Sequence, residues 1–377
     1  MAIKGVILLF ILPGLRVDRI LITQDAVTRE AIMQETHRGT RFFGAAFILA
    51  LALAACGGGG SGGTTSSTSS TPSGPSPNPG PLVFKASPID PASIRWITPL
   101  GNLNPPSHPL PTDHIYFYFA NPNAGESPVL RRTAFMAPAD GTVTDIFHND
   151  LASPDVKLFI RATDTVTYYI DHLIPDAPIT VGTKLTAGQR LGTTGSVFAV
   201  DLGVVNSSLT LAFLNPSRYV NGDSLHADAP LKYYEEPLRA QLYGLVQRLG
   251  TEKDGRIDYD VAGRLAGNWF VEFGTAPLLF VYDTYDPTRV LISVPGFSSV
   301  PGIFSIAVTD PAPKDVSVAT GPVRYLLTPA QTGSPFTADP VGRLLVQVLD
   351  AGRIKAETFP LSDPAVAFTS AAHQFLR

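Results

Sequence analysis

At 377 residues the chain is long enough for two globular units with tails. Its formal net charge of −4, with only 16% charged residues, leaves no surface for a polyanion, which excludes nucleic acid as a partner. A single cysteine excludes an intramolecular disulfide framework and a thiolate zinc cluster, while 33 glycines and 34 prolines suit turns, linkers and β-structure.

In chain order, residues 1–32 carry a short apolar run, 6–12, ended by Pro13 and too short to span a bilayer. They read as an N-terminal extension outside the fold, since Met33 is a sufficient start. Residues 33–55 have the parts of a signal peptide: His37, Arg38 and Arg41 as a positive flank, an apolar run over 42–53, then Leu53-Ala54-Ala55-Cys56. This ending resembles the bacterial lipobox, which implies cleavage before Cys56, lipidation of its sulfur and export to a membrane, the outer one where the host has two. The only cysteine of the chain thereby acquires a role, and the membrane is the first expected partner. Residues 56–81 follow as a linker of nearly unbroken Gly, Ser, Thr and Pro. Such a segment cannot bury enough apolar surface to fold, and its root-mean-square span is about 25–30 Å.

From Leu82 the composition becomes globular. Period-2 and aromatic-rich runs predict strands over 115–119, 142–147, 156–160 and 165–170, with Asp-Gly, Asn-Asp and Ala-Thr-Asp turns between them. These runs define a first β unit over 82–228. Leu238, Leu242, Leu245, Val246 and Leu249 follow helical spacing, so a connecting helix is expected within 229–250, with Gly250 as its C-cap. Seven further strands are predicted over 269–273, 278–282, 290–294, 303–308, 323–327, 344–349 and 354–359. They make 251–377 a second β-rich unit, a barrel or a sandwich. The fold class is therefore mainly β, with a short helix between two β units.

Ala137-Pro138-Ala139-Asp140-Gly141-Thr142-Val143, Tyr169-Ile170-Asp171-His172-Leu173 and Val181-Gly182 through Gln189-Arg190-Leu191-Gly192, continued by Thr194-Gly195, keep a fixed order over 96–206. Together they resemble the lysostaphin-type (LytM-like) zinc endopeptidases of peptidoglycan. The second element has one residue more than the family's Y-x-H-L pattern. The resemblance implies a zinc held by a His, an Asp four residues later and the second His of a late H-x-H. Two further His, one on the Y-x-H-L strand and the first of H-x-H, would assist the water and the oxyanion.

Carried onto this sequence, His114 takes the first ligand position and His172 the catalytic one. Tyr118 stands where the Asp ligand belongs, and a phenol titrating near 10 is a poor zinc ligand at neutral pH. In Asp201-Leu202-Gly203, Asp201 replaces one late His, and Gly203 has no side chain to replace the other. Two readings of the remaining residues are open. His108, Asp113, His114 and His172 can converge, with Asp201 adding a carboxylate, into a shifted His/Asp metal site. Alternatively Asp113 caps a turn after Pro111, His108 is a loop residue and His172 bonds within the sheet.

His148, His226 and His373 are expected to face solvent. Asp254-Gly255 and Asp258-Tyr259-Asp260 have the flavour of a calcium loop, but Trp269 stands where its bidentate Glu is needed, so a polar turn is expected. Gly267-Asn268-Trp269 is similar to the G-x-W opening of lipocalin-like barrels, and its plain alternative is a core Trp at a strand start. The function these residues favour is a membrane-anchored envelope lipoprotein with a non-catalytic LytM-like module and no cofactor. It would bind peptidoglycan or regulate an envelope hydrolase through His114, Tyr118, His172 and Asp201. One rival is an active zinc endopeptidase with shifted ligands. The other is a lipid or small-molecule carrier using the C-terminal β unit.

Overall fold

A computed structural model describes residues 81–104, 108–149, 153–219, 222–330 and 338–377. Cys56, the signal peptide and the linker lie outside the described residues. The described chain is mainly β, a ten-stranded antiparallel sheet followed by one short α-helix and a closed eight-stranded barrel.

The sheet is built from β1 (Trp96–Thr98), β2 (His114–Tyr118), β3 (Ala134–Met136), β4 (Gly141–His148), β5 (Val156–Arg161), β6 (Val166–Pro175), β7 (Lys184–Leu185), β8 (Arg190–Thr194), β9 (Ala199–Asn206) and β10 (Ala227–Asp228). Its main path runs β1-β2-β9-β6-β5-β4-β7, with β8 bridging β3 and β6 and β10 on β9. Side chains alternate between faces along each strand. Ile115, Phe117, Leu158, Ile160, Tyr168, Ile170, Val200, Leu202 and Val204 form one buried face and pack into the core with Phe84, Phe135 and Tyr234. The intervening residues His114, Tyr116, Tyr118, Tyr169, Asp171, Asp201 and Gly203 therefore share the other face.

The predicted helix is shorter than its apolar spacing implies. The α-helix α1 covers Leu238–Tyr243 only. Beyond it the backbone is claimed by strand-like pairing: Ile97 N donates to Leu245 O and Gln247 N to Ile97 O, both at 2.9 Å. Leu242 and Val246 still turn inward to the core, which is what their spacing records.

The barrel closes through β11 (Gly267–Val271), β12 (Pro277–Tyr282), β13 (Val290–Val294), β14 (Gly302–Ser305), β15 (Val323–Pro329), β16 (Gly342–Asp350), β17 (Arg353–Pro360) and β18 (His373–Leu376). Closure removes every free sheet edge. The interior of an eight-stranded barrel is just wide enough for side chains to fill. Here Trp269, Phe280, Ile292, Tyr325, Leu327, Val346 and Ile354 fill it, all of them fully buried. Asp258 and Asp260 spend their carboxylates on backbone N–H groups of Ala212, Leu214 and Asn268, so the expected polar turn replaces a calcium loop. Among the described residues no helix is long and apolar enough to cross a membrane.

Candidate functional site

The polar face of the sheet carries the site. β2 and β9 pair with His114 opposite Gly203 and Tyr116 opposite Asp201. β6 and β9 pair with Tyr169 opposite Gly203 and Asp171 opposite Asp201. Directly opposed residues project to the same side, so three neighbouring strands bring His114, Tyr169, Asp171 and Asp201 together.

His114 is buried, with only 6% of its surface exposed. Its Nδ1 lies 3.0 Å from Asp113 Oδ1 and 3.2 Å from the Tyr169 hydroxyl. Its Nε2 lies 3.0 Å from the Tyr116 hydroxyl and 3.4 Å from Asp201 Oδ2. Asp113 also accepts from the Tyr169 hydroxyl at 2.7 Å and, on Oδ2, from the Ser224 hydroxyl at 2.7 Å. It binds three groups of the site, His114, Tyr169 and Ser224, instead of capping a turn after Pro111. Burial opposes its ionisation, yet the bonds from His114, Ser224 and Tyr169 hold its carboxyl well below the usual range. His108 packs its ring edge-on to His114, with centroids 5.4 Å apart.

His172 reaches the same face by a backbone irregularity. Lys157 sits between the pairs Val156–Leu173 and Leu158–Ile170, so Asp171 and His172 together oppose one residue. This is a β-bulge, and the extra residue in the Y-x-H-L pattern is its cause. His172 has φ +66°, a left-handed conformation that a non-glycine residue adopts only under constraint. Its Nδ1 meets Asp155 Oδ2 at 3.2 Å and its Nε2 lies 4.0 Å from Asp201 Oδ2. Burial disfavours the imidazolium, but the Asp155 bond and the charges of Asp201 and Asp171 outweigh it and raise His172 to about 9. Burial pushes the Asp201 carboxyl up, with His114 and His172 pulling the other way.

The residues at the three zinc-ligand positions implied by the resemblance do not fit a zinc ion. A β-carbon built on Gly203 would lie 2.1 Å from Cζ of Tyr169, so the Tyr169 ring fills the space of the missing imidazole. Tyr118 stacks on Trp96, its cross-strand partner, with centroids 4.5 Å apart and planes at 17°. Burial and the nearby Asp201 charge hold its phenol above the usual value, away from the phenolate a metal needs. Both ring nitrogens of His114 already meet oxygen partners within 3.2 Å.

Of the four binding residues named from sequence, His114, His172 and Asp201 come together, and Tyr118 stands one pair further along β2, beside Trp96 and Tyr116. Asp155, Asn149 and Lys157 also belong to the site, and nothing in their sequence context marks them. Asp113 and Asp171 flank the two histidines in sequence, which is the one signal that was present. Among the remaining histidines, His148 and His373 are exposed, whereas His226 is half-buried with Nδ1 2.5 Å from Leu209 O.

No protein-family model matches the sequence, and no curated protein matches it. Solved structures that resemble it include a zinc-containing peptidase from Vibrio cholerae, 19% identical with a TM-score of 0.25, covering 33% of this chain and 37% of that one. Helicobacter pylori Csd3 is 14% identical with a TM-score of 0.27, covering 41% of this chain and 35% of its own. Lysostaphin is 10% identical with a TM-score of 0.22, covering 71% of this chain and 80% of its own. The chain thus spans little more than a third of the first two structures it is similar to.

Proposed function

We propose that the protein is a lipid-anchored cell-envelope lipoprotein whose sheet is a LytM-like module that binds peptidoglycan without cleaving it. The observation that carries this reading is the Tyr169 ring seated on Gly203, where the resemblance requires a ligand imidazole. Without three protein ligands and an open position, no zinc-bound water is generated near neutral pH at that place. Binding is supported by what remains on the polar face. Trp96 and Tyr118 form a half-exposed aromatic pair beside buried hydrogen-bonding groups, a surface suited to the apolar faces of sugar rings. Lipidation at Cys56 supplies the anchor, and the linker gives the module reach above the membrane.

The carrier reading loses support from the barrel. Space behind Trp269 is packed with side chains, and the cavity at the barrel mouth, between Leu278, Val294, Phe297, Leu344 and Phe375, is about 260 Å³. That lies below the range of about 300–1,000 Å³ for small-molecule sites.

Sacculi co-sedimentation, with release of soluble fragments measured on the same samples, tests the proposal. The expected result is co-sedimentation that a Trp96→Ala/Tyr118→Ala variant loses, with no fragments released by either protein. Fragment release abolished by His172→Ala would overturn the non-hydrolytic reading, and absent co-sedimentation would shift the module toward an envelope hydrolase as partner. Intact mass of the mature protein should begin at lipidated Cys56. A chain still carrying residues 1–55 would remove the anchor.

A further inference from the structure

Apart from the zinc positions of the resemblance, a different group of ligands is assembled. One atom each of Asp155, Asp171 and His172 lies within 4.8 Å of the other two. Asp155 immediately precedes β5, and Asp171 and His172 are consecutive in β6. Consecutive strand residues normally face opposite sides; the bulge opposite Lys157 and the left-handed His172 cancel that alternation and bring both side chains to Asp155. Gly195 completes the geometry. Its N–H donates to His172 O at 2.8 Å, and any β-carbon there would come within 2.7 Å of Asp155 Oδ2.

Hydrogen bonds orient the ligand side chains. Asn149 Nδ2 donates to Oδ1 of Asp155 at 3.1 Å and to Oδ1 of Asp171 at 2.6 Å, which orients both carboxylates from behind. The second oxygen of each faces a nitrogen, His172 Nδ1 for Asp155 at 3.2 Å and Lys157 Nζ for Asp171 at 3.9 Å. A separate feature favours a cation here. Asp201, opposite Asp171 on β9 and 5% exposed, keeps Oδ1 buried without a hydrogen-bond partner, while its Oδ2 stands 4.0 Å from His172 Nε2. An unsatisfied buried carboxylate oxygen is costly. Three carboxylates at 9%, 8% and 5% exposure share this corner with Lys157 and His172.

We propose that Asp155, Asp171 and His172 form a binding site for one divalent cation of the Zn²⁺ or Mn²⁺ type, with Asn149 orienting the carboxylates and Asp201 adding charge from the neighbouring strand. Two carboxylates and one imidazole are a mixed oxygen and nitrogen set suited to these ions, and three protein ligands leave positions for water or an anionic ligand. The site is distinct from the positions of His114, Tyr118 and Gly203, and it stands whether or not the sheet binds peptidoglycan.

The test is titration of the metal-stripped full-length protein with Mn²⁺ alone, followed by electron paramagnetic resonance, and with Zn²⁺ alone, followed by calorimetry. A single ion per chain is expected. Asp171→Asn and His172→Ala should each weaken binding by at least about tenfold, as Asn149→Ala should by about tenfold through orientation. His114→Ala should weaken binding less than either ligand variant, because His114 lies outside the ligand set and reaches it only through Asp201. Spin-echo modulation of bound Mn²⁺ should show one histidine nitrogen in the wild type and in His114→Ala, which keeps the test decisive where a ligand variant fails to fold. No saturable binding at millimolar ion, no nitrogen coupling, or binding that His114→Ala abolishes and Asp171→Asn spares would each overturn the site. Fragment release from sacculi by the metal-loaded protein would overturn the non-hydrolytic reading and leave the cation site intact.

Discussion

The sheet and the barrel are both antiparallel, and they bury opposite chemistries. The barrel encloses Trp269, Phe280 and Tyr325 among aliphatic residues, so its interior gains from apolar burial and close packing. The sheet buries its apolar residues on one side only. On its other face it takes His114, Asp155, Asp171 and Asp201 largely out of water and satisfies most of them with each other. Burying polar and charged groups costs free energy even when they are paired. A fold dominated by apolar burial has no reason to assemble such a cluster, whereas a binding site does. The contrast teaches that apolar packing accounts for the barrel interior, whereas the polar cluster on the sheet face is not explained by packing alone.

Large-to-small substitution in the barrel is expected to have the greatest effect. Trp269→Ala removes a fully buried indole and the hydrogen bond from its Nε1 to Leu265 O, 2.8 Å long. A loss of about 3–5 kcal/mol is expected in denaturant unfolding, since a closed barrel collapses poorly around a void. A loss under about 1 kcal/mol would mean that the barrel repacks freely, and the contrast with the sheet would fail.

A smaller effect of a different kind is expected at Gly203. Gly203→Ala drives a methyl group into the Tyr169 ring, 2.1 Å from Cζ, and should cost about 1–3 kcal/mol by overpacking. Tyr169→Ala should rescue it. In a double-mutant cycle the pair should couple by about 1–2 kcal/mol, while His114→Ala with Gly203→Ala should show less. Simple additivity between positions 203 and 169 would show that Tyr169 does not occupy the ligand position, and would reopen the hydrolase reading.

How much of this was legible in the sequence differs between the regions for the same reason. The apolar runs that became β12, β13, β15, β16 and β17 are strong local signals, because a barrel interior asks the same thing of every strand. β18 was not anticipated: His373–Leu376 is four residues long and gains its meaning only by closing the barrel between β11 and β17. The helix was overextended because inward-facing Leu245 and Val246 keep helical spacing while their backbone pairs with Ile97. In the site, His114, His172 and Asp201 were legible through motif order. Asp155 was not, since it joins His172 only through the pairing of β5 with β6, and the bulge that turns His172 toward it depends on φ, which the sequence does not display.

The smallest expected effect is a pH dependence seated in the polar face of the sheet. His108 packs on His114 and is lowered to about 4, first by burial, then by His114 and Lys157, against the opposing charges of Asp113 and Asp171. A histidine whose folded value lies below its unfolded value near 6.5 is neutral in the native state. Its contribution to stability is fully present above about pH 6.5 and is lost as pH falls from there through 4, because the unfolded chain takes up the proton first. Since His108 keeps partial contact with solvent, the expected loss across that window is about 1–2 kcal/mol. His108→Asn should remove this slope. His373→Asn, at an exposed position on the barrel mouth, should leave it unchanged. The difference between wild type and His108→Asn matters more than either curve, because Asp113 and Asp171, held below their usual values, add their own loss of stability at lower pH. Urea unfolding of the three proteins between pH 7 and 4 measures it. Parallel curves for wild type and His108→Asn would place His108 in water and remove it from the buried polar cluster, and a flattened curve for His373→Asn would move the pH-sensitive element into the barrel.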